Sequence, residues 1–397
     1  MNIGKMEVRN RFIRSAVLEN MAKETGEVSD TLTKTYTTLA KGEVGLIITG
    51  FMYVHPLGQA YPHQTGIQND DLIPGLKGMV NAIHQASGKV AFQLGHAGLQ
   101  TDKRYIGNLP IGPSKQIMNP ITFTKPKEMT EEDILESIEA FTKAATRASE
   151  AGADAIQLHG AHGYLISEFI SPFYNRRKDN WGGTDENRFR YFRELITSIK
   201  KVIPGDMAVL VKINSIDFTP KEGITPTITS RYVEWLGNLG IDGIEISAGS
   251  SAFAIFNMCR GDVPVKEIVQ YLPDTVRPMA EKVFEDMKGK FDFEEGYNLE
   301  AAKEIKSSMG DVPLILVGGM RTKSYMAKIL ENEYADFISM ARPFIREPYL
   351  VKNFKEGKQE KAACISCNRC LAAIPNHYTV RCYAKKWPNR IEISILQ

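Results

Sequence analysis

The sequence predicts an α/β fold, a closed parallel (β/α)8 (TIM) barrel followed by a short cysteine-rich tail. Three observations predict the barrel. Eight brief β-rich apolar runs alternate with longer amphipathic segments, the turns from helix to strand are short and glycine-marked, and the loops from strand to helix are long. Strands apolar enough to be covered on both faces, each followed by a helix, are what a barrel with an outer ring of helices demands. An open doubly wound sheet shares the alternation and is the competing architecture.

The runs fall at 12–17, 44–50, 90–95, 153–159, 208–214, 243–248, 313–318 and 335–340. Short turns carrying Gly88, Gly152 and Gly240 lead into the third, fourth and sixth. The clearest helix spans 131–149, where Thr130 followed by Asp133 gives a capping signal. The long loops run from 96 to 130, from 160 to 183 and from 249 to about 297. In a barrel all three gather at the carboxyl ends of the strands, where barrel enzymes place their chemistry, so the asymmetry of loop length itself points to an active site. From about Lys355 the sequence turns polar, and this predicts a linker that divides a barrel over 1–358 from a tail over 359–397.

Composition narrows the class. With 397 residues, 43% hydrophobic and 24% charged, the chain is expected to be a globular protein with one large core or two ordinary ones. A formal net charge of +2 without Lys/Arg blocks gives no case for nucleic acid or a membrane surface. The first residues lack the apolar stretch of a signal peptide and no run approaches a membrane span, so a cytoplasmic protein is expected, with reduced cysteines available as metal ligands. Composition leaves the oligomeric state open, and a homo-oligomer is compatible with it.

Two segments could carry chemistry within the barrel. Gln157-Leu158-His159-Gly160-Ala161-His162-Gly163-Tyr164-Leu165 places two imidazoles and a phenol where the fourth strand ends. Together they can polarise an oxygen with two N–H donors and offer a proton nearby. Val317-Gly318-Gly319-Met320-Arg321 and Met340-Ala341-Arg342-Pro343 follow the seventh and eighth strands. Barrels commonly bind phosphate there, with small residues admitting backbone N–H groups and an arginine adding a bidentate donor, so a phosphate-bearing cofactor is expected. Gly-x-Gly occurs nowhere in the chain, which excludes the Gly-x-Gly-x-x-Gly dinucleotide fingerprint.

The tail holds four of the five cysteines: Cys364, Cys367 and Cys370 at three-residue intervals, then Cys382. A tight loop of three thiolates closed by a distant fourth suits an iron–sulfur cluster. A structural zinc site and a redox disulfide remain as alternatives. Cys259, outside the tail, is expected to pack in its loop.

These segments resemble the Old Yellow Enzyme family of FMN-dependent NAD(P)H:flavin oxidoreductases over roughly residues 5–350. The likeness rests on Arg9-Asn10-Arg11-Phe12, Gln93-Leu94-Gly95-His96-Ala97-Gly98, the His159–Leu165 segment, Ser171-Pro172 through Trp181-Gly182-Gly183, Asn187-Arg188 and Ala341-Arg342-Pro343. The resemblance implies FMN across the barrel mouth, with Ser15, Ala16 and Gly50 approaching it by backbone, Gln93 on its pyrimidine edge and Lys212 near N1 and O2. Gly318, Gly319, Ala341 and Arg342 would hold its phosphate. His159 and His162 would grip the substrate's electron-withdrawing oxygen and Tyr164 would donate the proton. The cysteine tail is similar to the branch with 2,4-dienoyl-CoA reductase and trimethylamine dehydrogenase, which carries a [4Fe–4S] cluster after the barrel.

Two departures from that branch bear on function. Those relatives continue into an FAD- and NAD(P)-binding module, whereas this sequence stops at Gln397. The amine dehydrogenase attaches FMN through a cysteine where this chain has Ser15-Ala16-Val17-Leu18, so a non-covalent flavin is expected. The resemblance implies an ene-reductase drawing on NAD(P)H. An electron-accepting subunit served by ferredoxin or a separate reductase is the second reading, and a non-catalytic barrel with a zinc-stapled tail the third.

Overall fold

The structure is a computed structural model that describes residues 1–115 and 117–388; the last nine residues of the predicted tail lie outside the described residues. Eight parallel strands form its centre: β1 (Phe12–Arg14), β2 (Leu46–Ile48), β3 (Val90–Gly95), β4 (Ala155–Gly160), β5 (Ala208–Asn214), β6 (Gly243–Ser247), β7 (Leu314–Val317) and β8 (Phe337–Met340). Each pairs with its sequence neighbours, and β8 returns to β1 with Ile338 opposite Phe12. The sheet is therefore closed, and the doubly wound alternative is excluded. The first two strands are shorter than their apolar runs. Residues 15–18 leave the ladder to line a cavity, although the Ser15 amide still donates to Met340 O at 3.0 Å.

A barrel helix follows each strand, with further short helices in the loops: α1 (Asp30–Lys41), α2 (Ile73–Gln85), α3 (Glu131–Glu150), α4 (Asp185–Lys200), α5 (Pro226–Asn238), α6 (Leu299–Lys306), α7 (Lys323–Glu331) and α8 (Leu350–Lys355). The predicted cap of α3 is a full capping box: Thr130 Oγ1 accepts from Asp133 N at 3.1 Å and the Asp133 carboxylate accepts from Thr130 N at 2.8 Å. Two orphan amides at the helix start are thereby satisfied. The strands bury both faces. Outward residues such as Ile47, Phe92, Val209 and Leu316 pack under the helices, while Ile13, Leu46, Ala91, Leu210 and Ile315 fill the lower barrel. An N-terminal hairpin, Asn2–Ile3 with Met6–Glu7, adds Ile3 and Met6 to that inner cluster and plugs the end opposite the long loops.

The segment expected to be a linker is fastened to the barrel. Lys361 bridges to Thr322, Ala362 N donates to Arg321 O at 3.0 Å and Lys323 N to Glu360 O at 2.8 Å. The tail then folds over the barrel mouth, where Val380 N reaches Glu19 O at 2.8 Å and Asp262 N reaches Ser366 O at 3.0 Å. Among the described residues, no helix is long and apolar enough to cross a membrane.

Candidate active site

One large cavity opens at the carboxyl ends of the strands, and it gathers most of the residues expected to act. Ser15, Ala16, Gln93, Lys212, Gly318, Gly319, Ala341 and Arg342 line it together with His159, His162 and Tyr164. Gly50 stands outside this lining. Its N–H is taken by Glu19 Oε1 and the Tyr36 hydroxyl, each at 3.1 Å.

The phosphate loops fit an anion. Gly318 and Gly319 take φ of +138° and +71°, conformations L side chains avoid, and a Cβ on Gly319 would come within 2.4 Å of Glu294 O. Gly318, Gly319, Met320 and Ala341 all line this cavity, and among the described residues none of their amides donates to a protein acceptor. Buried N–H groups are nearly always paired, so this cluster is a ready cradle for phosphate oxygens. The Arg342 guanidinium is partly committed elsewhere, since Nη1 donates to Arg260 O at 2.8 Å and to Asn368 Oδ1 at 2.6 Å.

A buried polar network forms the cavity floor, centred on a residue the sequence reading missed. Glu245, fully buried on β6, accepts from Ser15 Oγ at 2.7 Å, Ser339 Oγ at 2.9 Å and Gln157 Nε2 at 2.9 Å. Lys212 Nζ lies 3.6 Å from its carboxylate and donates to Ser15 Oγ at 2.9 Å. Gln157 in turn accepts from Gln93 Nε2 at 2.7 Å, which leaves the Gln93 carbonyl as that side chain's remaining polar group. A signal did exist: Glu245 and Ser247 alternate with Ile244 and Ile246 in a strand that a barrel covers on both faces, and a buried charge there needs partners.

Above the floor, the loop after β4 presents the two imidazoles and the phenol. The rings of His159 and His162 meet edge to face at 5.1 Å between centroids, and Tyr164 lies 4.8 Å from His159 and 4.7 Å from Phe51. His162 takes a left-handed φ of +64° and is held there from two sides, its N–H donating to Asn214 Oδ1 at 3.3 Å and its carbonyl accepting from Ser251 N at 3.0 Å. Burial, and next the positive charge of Lys212, hold both imidazoles well below the usual histidine range, so they are neutral N–H donors at neutral pH. Burial pushes the Tyr164 phenol up, opposed by the Ser251 hydroxyl, so Tyr164 keeps the proton a donor needs.

The four tail cysteines line a second, smaller cavity beside the first. Arg342 and Cys370 belong to the walls of both. Asn368, inside the cysteine loop, fastens it by donating to Cys259 O at 2.7 Å and Asp262 O at 3.0 Å. Four thiols around one cavity are a donor set that suits iron–sulfur or zinc chemistry. As the side chains stand, no group of three or more His, Cys, Asp or Glu among the described residues is gathered to hold a metal ion. Burial pushes the Cys370 thiol up to about 12, against the pull of Arg342, so without a metal it stays protonated. Cys259, in the loop after β6, is among the residues that line the larger cavity.

Comparison with known proteins agrees with this architecture. The chain matches the NADH:flavin oxidoreductase / NADH oxidase family over residues 1–266 and 265–361. An NADH oxidase of Thermoanaerobacter brockii is 33% identical over 371 residues, covering 92% of this chain and 52% of that protein. A 4,4'-dithiodibutanoate disulfide reductase of Rhodococcus erythropolis is 30% identical over 390 residues, covering 96% of this chain and 93% of its own length. Among solved structures, a 2-naphthoyl-CoA reductase complex superposes with a TM-score of 0.84 at 24% identity, over 97% of this chain and 56% of that one, which attests the fold. The chain thus spans about half the length of two of these proteins and nearly all of the third. The extent of the family match, together with the closed barrel, makes this chain a member of the NADH:flavin oxidoreductase / NADH oxidase family, the FMN-dependent oxidoreductases.

Proposed function

We propose that this chain is an ene-reductase that reduces the activated C=C bond of an enone or an enoyl or dienoyl thioester, with NAD(P)H as the source of electrons. Reduced FMN, when bound, supplies hydride to the β-carbon. Gly318, Gly319, Met320 and Ala341 would hold its phosphate through their free amides, and Gln93 and Lys212 would face its ring from the floor. His159 and His162 donate to the substrate carbonyl oxygen, so that negative charge developing there meets fixed dipoles in a cavity whose wall Phe51 lines beside His159. Tyr164 gives its proton to the α-carbon. The observation that carries this reading is the convergence of two neutral imidazoles and a protonated phenol on one cavity wall.

The test is Tyr164→Phe with 2-cyclohexenone as oxidant. Flavin reduction by NADPH should be nearly unchanged, while reoxidation by the enone slows by about 10²–10⁴-fold, the usual range for a general acid. An unchanged reoxidation rate would remove Tyr164 from the mechanism.

One observation favours a second reading, in which the chain accepts single electrons from ferredoxin or a separate reductase. Arg342 and Cys370 form a wall common to the two cavities, which would set a metal group on the cysteines directly beside the flavin. In this reading the barrel over 1–358 holds FMN and the tail over 359–397 holds a [4Fe–4S] cluster on Cys364, Cys367, Cys370 and Cys382, with zinc as the alternative occupant.

A further inference from the structure

We infer that Ser247 is a positioning residue that fixes the tautomer of His162, so that the two site imidazoles offer opposite ring nitrogens, Nε2 of His159 and Nδ1 of His162, as N–H donors. This deepens the reading above and rests on it for its catalytic consequence. His159 Nδ1 accepts the Ala161 amide at 3.4 Å, which leaves its ring proton on Nε2. His162 is arranged the other way round, with Nε2 lying 2.8 Å from Ser247 Oγ. That contact can be made with either group donating. Ser247 lines the cavity but is only 5% exposed, and among the described residues its hydroxyl has no other protein partner, so within the protein its hydrogen finds an acceptor only if His162 Nε2 is bare. A hydroxyl buried without an acceptor is costly, and this favours Ser247 as donor and Nδ1 as the protonated nitrogen of His162. Burial keeps both rings neutral, so neither can supply two donors at once.

Backbone geometry makes the arrangement persistent. Ser247 is the last residue of β6 and shares the inward face with Glu245, so its Cβ direction is set by the barrel ladder, where Asn214 pairs with Ser247. Its carbonyl accepts from the Ser215 amide at 2.7 Å and the Ser215 hydroxyl at 3.0 Å. On the other side, His162 bridges to Ser250 in the loop that follows Ser247. The two loops are thus latched together, and the imidazole has one place in which to meet the hydroxyl.

Long-range proton–nitrogen correlation spectra of protein labelled with nitrogen-15 histidine resolve the tautomers of the seven histidines, with His162→Ala assigning the signal. His162 should read as protonated on Nδ1 and His159 on Nε2. In Ser247→Ala the His162 signal should move to a mixture or to the Nε2 form, and 4-nitrophenol, read by its absorbance change, should bind about 3–10-fold more weakly, the value of one neutral hydrogen bond. Ser247→Thr keeps the hydroxyl and should restore both. A wild-type His162 protonated on Nε2 overturns the inference, even if Ser247→Ala fails to fold. So does a Ser247→Ala protein with an unchanged spectrum. Undiminished phenol binding by His162→Ala would instead overturn the reading that the histidine pair holds the substrate oxygen, the tautomer still being decided by the spectrum.

Discussion

Replacing Glu245 by Gln removes one negative charge from the cavity floor and almost no volume. The carboxylate is fully buried, accepts three hydrogen bonds of 2.7–2.9 Å and lies 3.6 Å from the buried Lys212 ammonium. The amide can still accept from Ser15 or Ser339, but its NH2 group now meets Gln157 Nε2 donor to donor, and Lys212 loses its counter-ion. Stranding one partner of a buried ion pair costs about 3–5 kcal/mol. With a urea slope of about 3 kcal/mol per M, that is a fall in the unfolding midpoint on the order of 1 M. The assay is urea unfolding of flavin-free protein, so that altered cofactor affinity does not enter. Glu245→Gln with Lys212→Met, which removes both charges, should recover most of the loss. If the double variant is as unstable as the single, or the single loses less than about 1 kcal/mol, the carboxylate is not neutralising Lys212 and the account of the floor is wrong.

Two further outcomes follow from the same geometry. On the proposal that the tail holds a [4Fe–4S] cluster, Cys367→Ser should strip iron and sulfide from anaerobically prepared protein while FMN remains, because an oxygen ligand would replace a soft thiolate and the proposed flavin contacts lie mainly in the barrel; stoichiometric zinc without iron in the wild type would instead make the four cysteines a structural clasp. Stability should fall as pH drops below 6.5, since burial holds His159 and His162 well below that value and His96 down to about 3, so these three imidazoles gain protons only on unfolding. Burial also pushes the Glu168 carboxyl well above the usual carboxylate range, against the pull of the Leu99 amide, and a proton released there on unfolding offsets part of the uptake by the imidazoles, which leaves the net slope positive with pH. A urea midpoint that stays level or rises between pH 7 and 5.5 would refute it.

The barrel was legible because each strand is an apolar run bounded by turns, and a run covered on both faces leaves few alternatives. The site was legible where chemistry sits on consecutive residues. His159, His162 and Tyr164 leave one strand together, and Gly318 with Gly319 carry their own backbone signature. Glu245 and Ser247 were harder to see because their partners are remote in sequence. Glu245 meets Ser15, Gln157, Lys212 and Ser339 from four other strands or strand ends, and only barrel closure brings those side chains to one point. Local pattern shows that a strand contains an acid; register shows what neutralises it.

The tail makes the opposite point. Its composition changes near 358, and a polar stretch followed by clustered cysteines reads as a separate piece. Packing continues across that position, because backbone hydrogen bonds are invisible to composition: Ala362 is tied to Arg321, and Lys323 to Glu360. The large cavity draws Cys370, Leu371, Ile374 and Val380 from the tail as lining residues, so the barrel alone does not complete its own mouth. Asn368 explains how a loop of three cysteines can be held there. It takes a left-handed φ of +53°, which asparagine tolerates better than most residues, and from that position its amide reaches two carbonyls of the β6 loop while its carbonyl receives Arg342. A residue between two cysteines would ordinarily be read as spacing. Here it joins the cysteine loop to the same arginine that walls the larger cavity, and the smaller, cysteine-lined cavity is thereby held in place against the larger one.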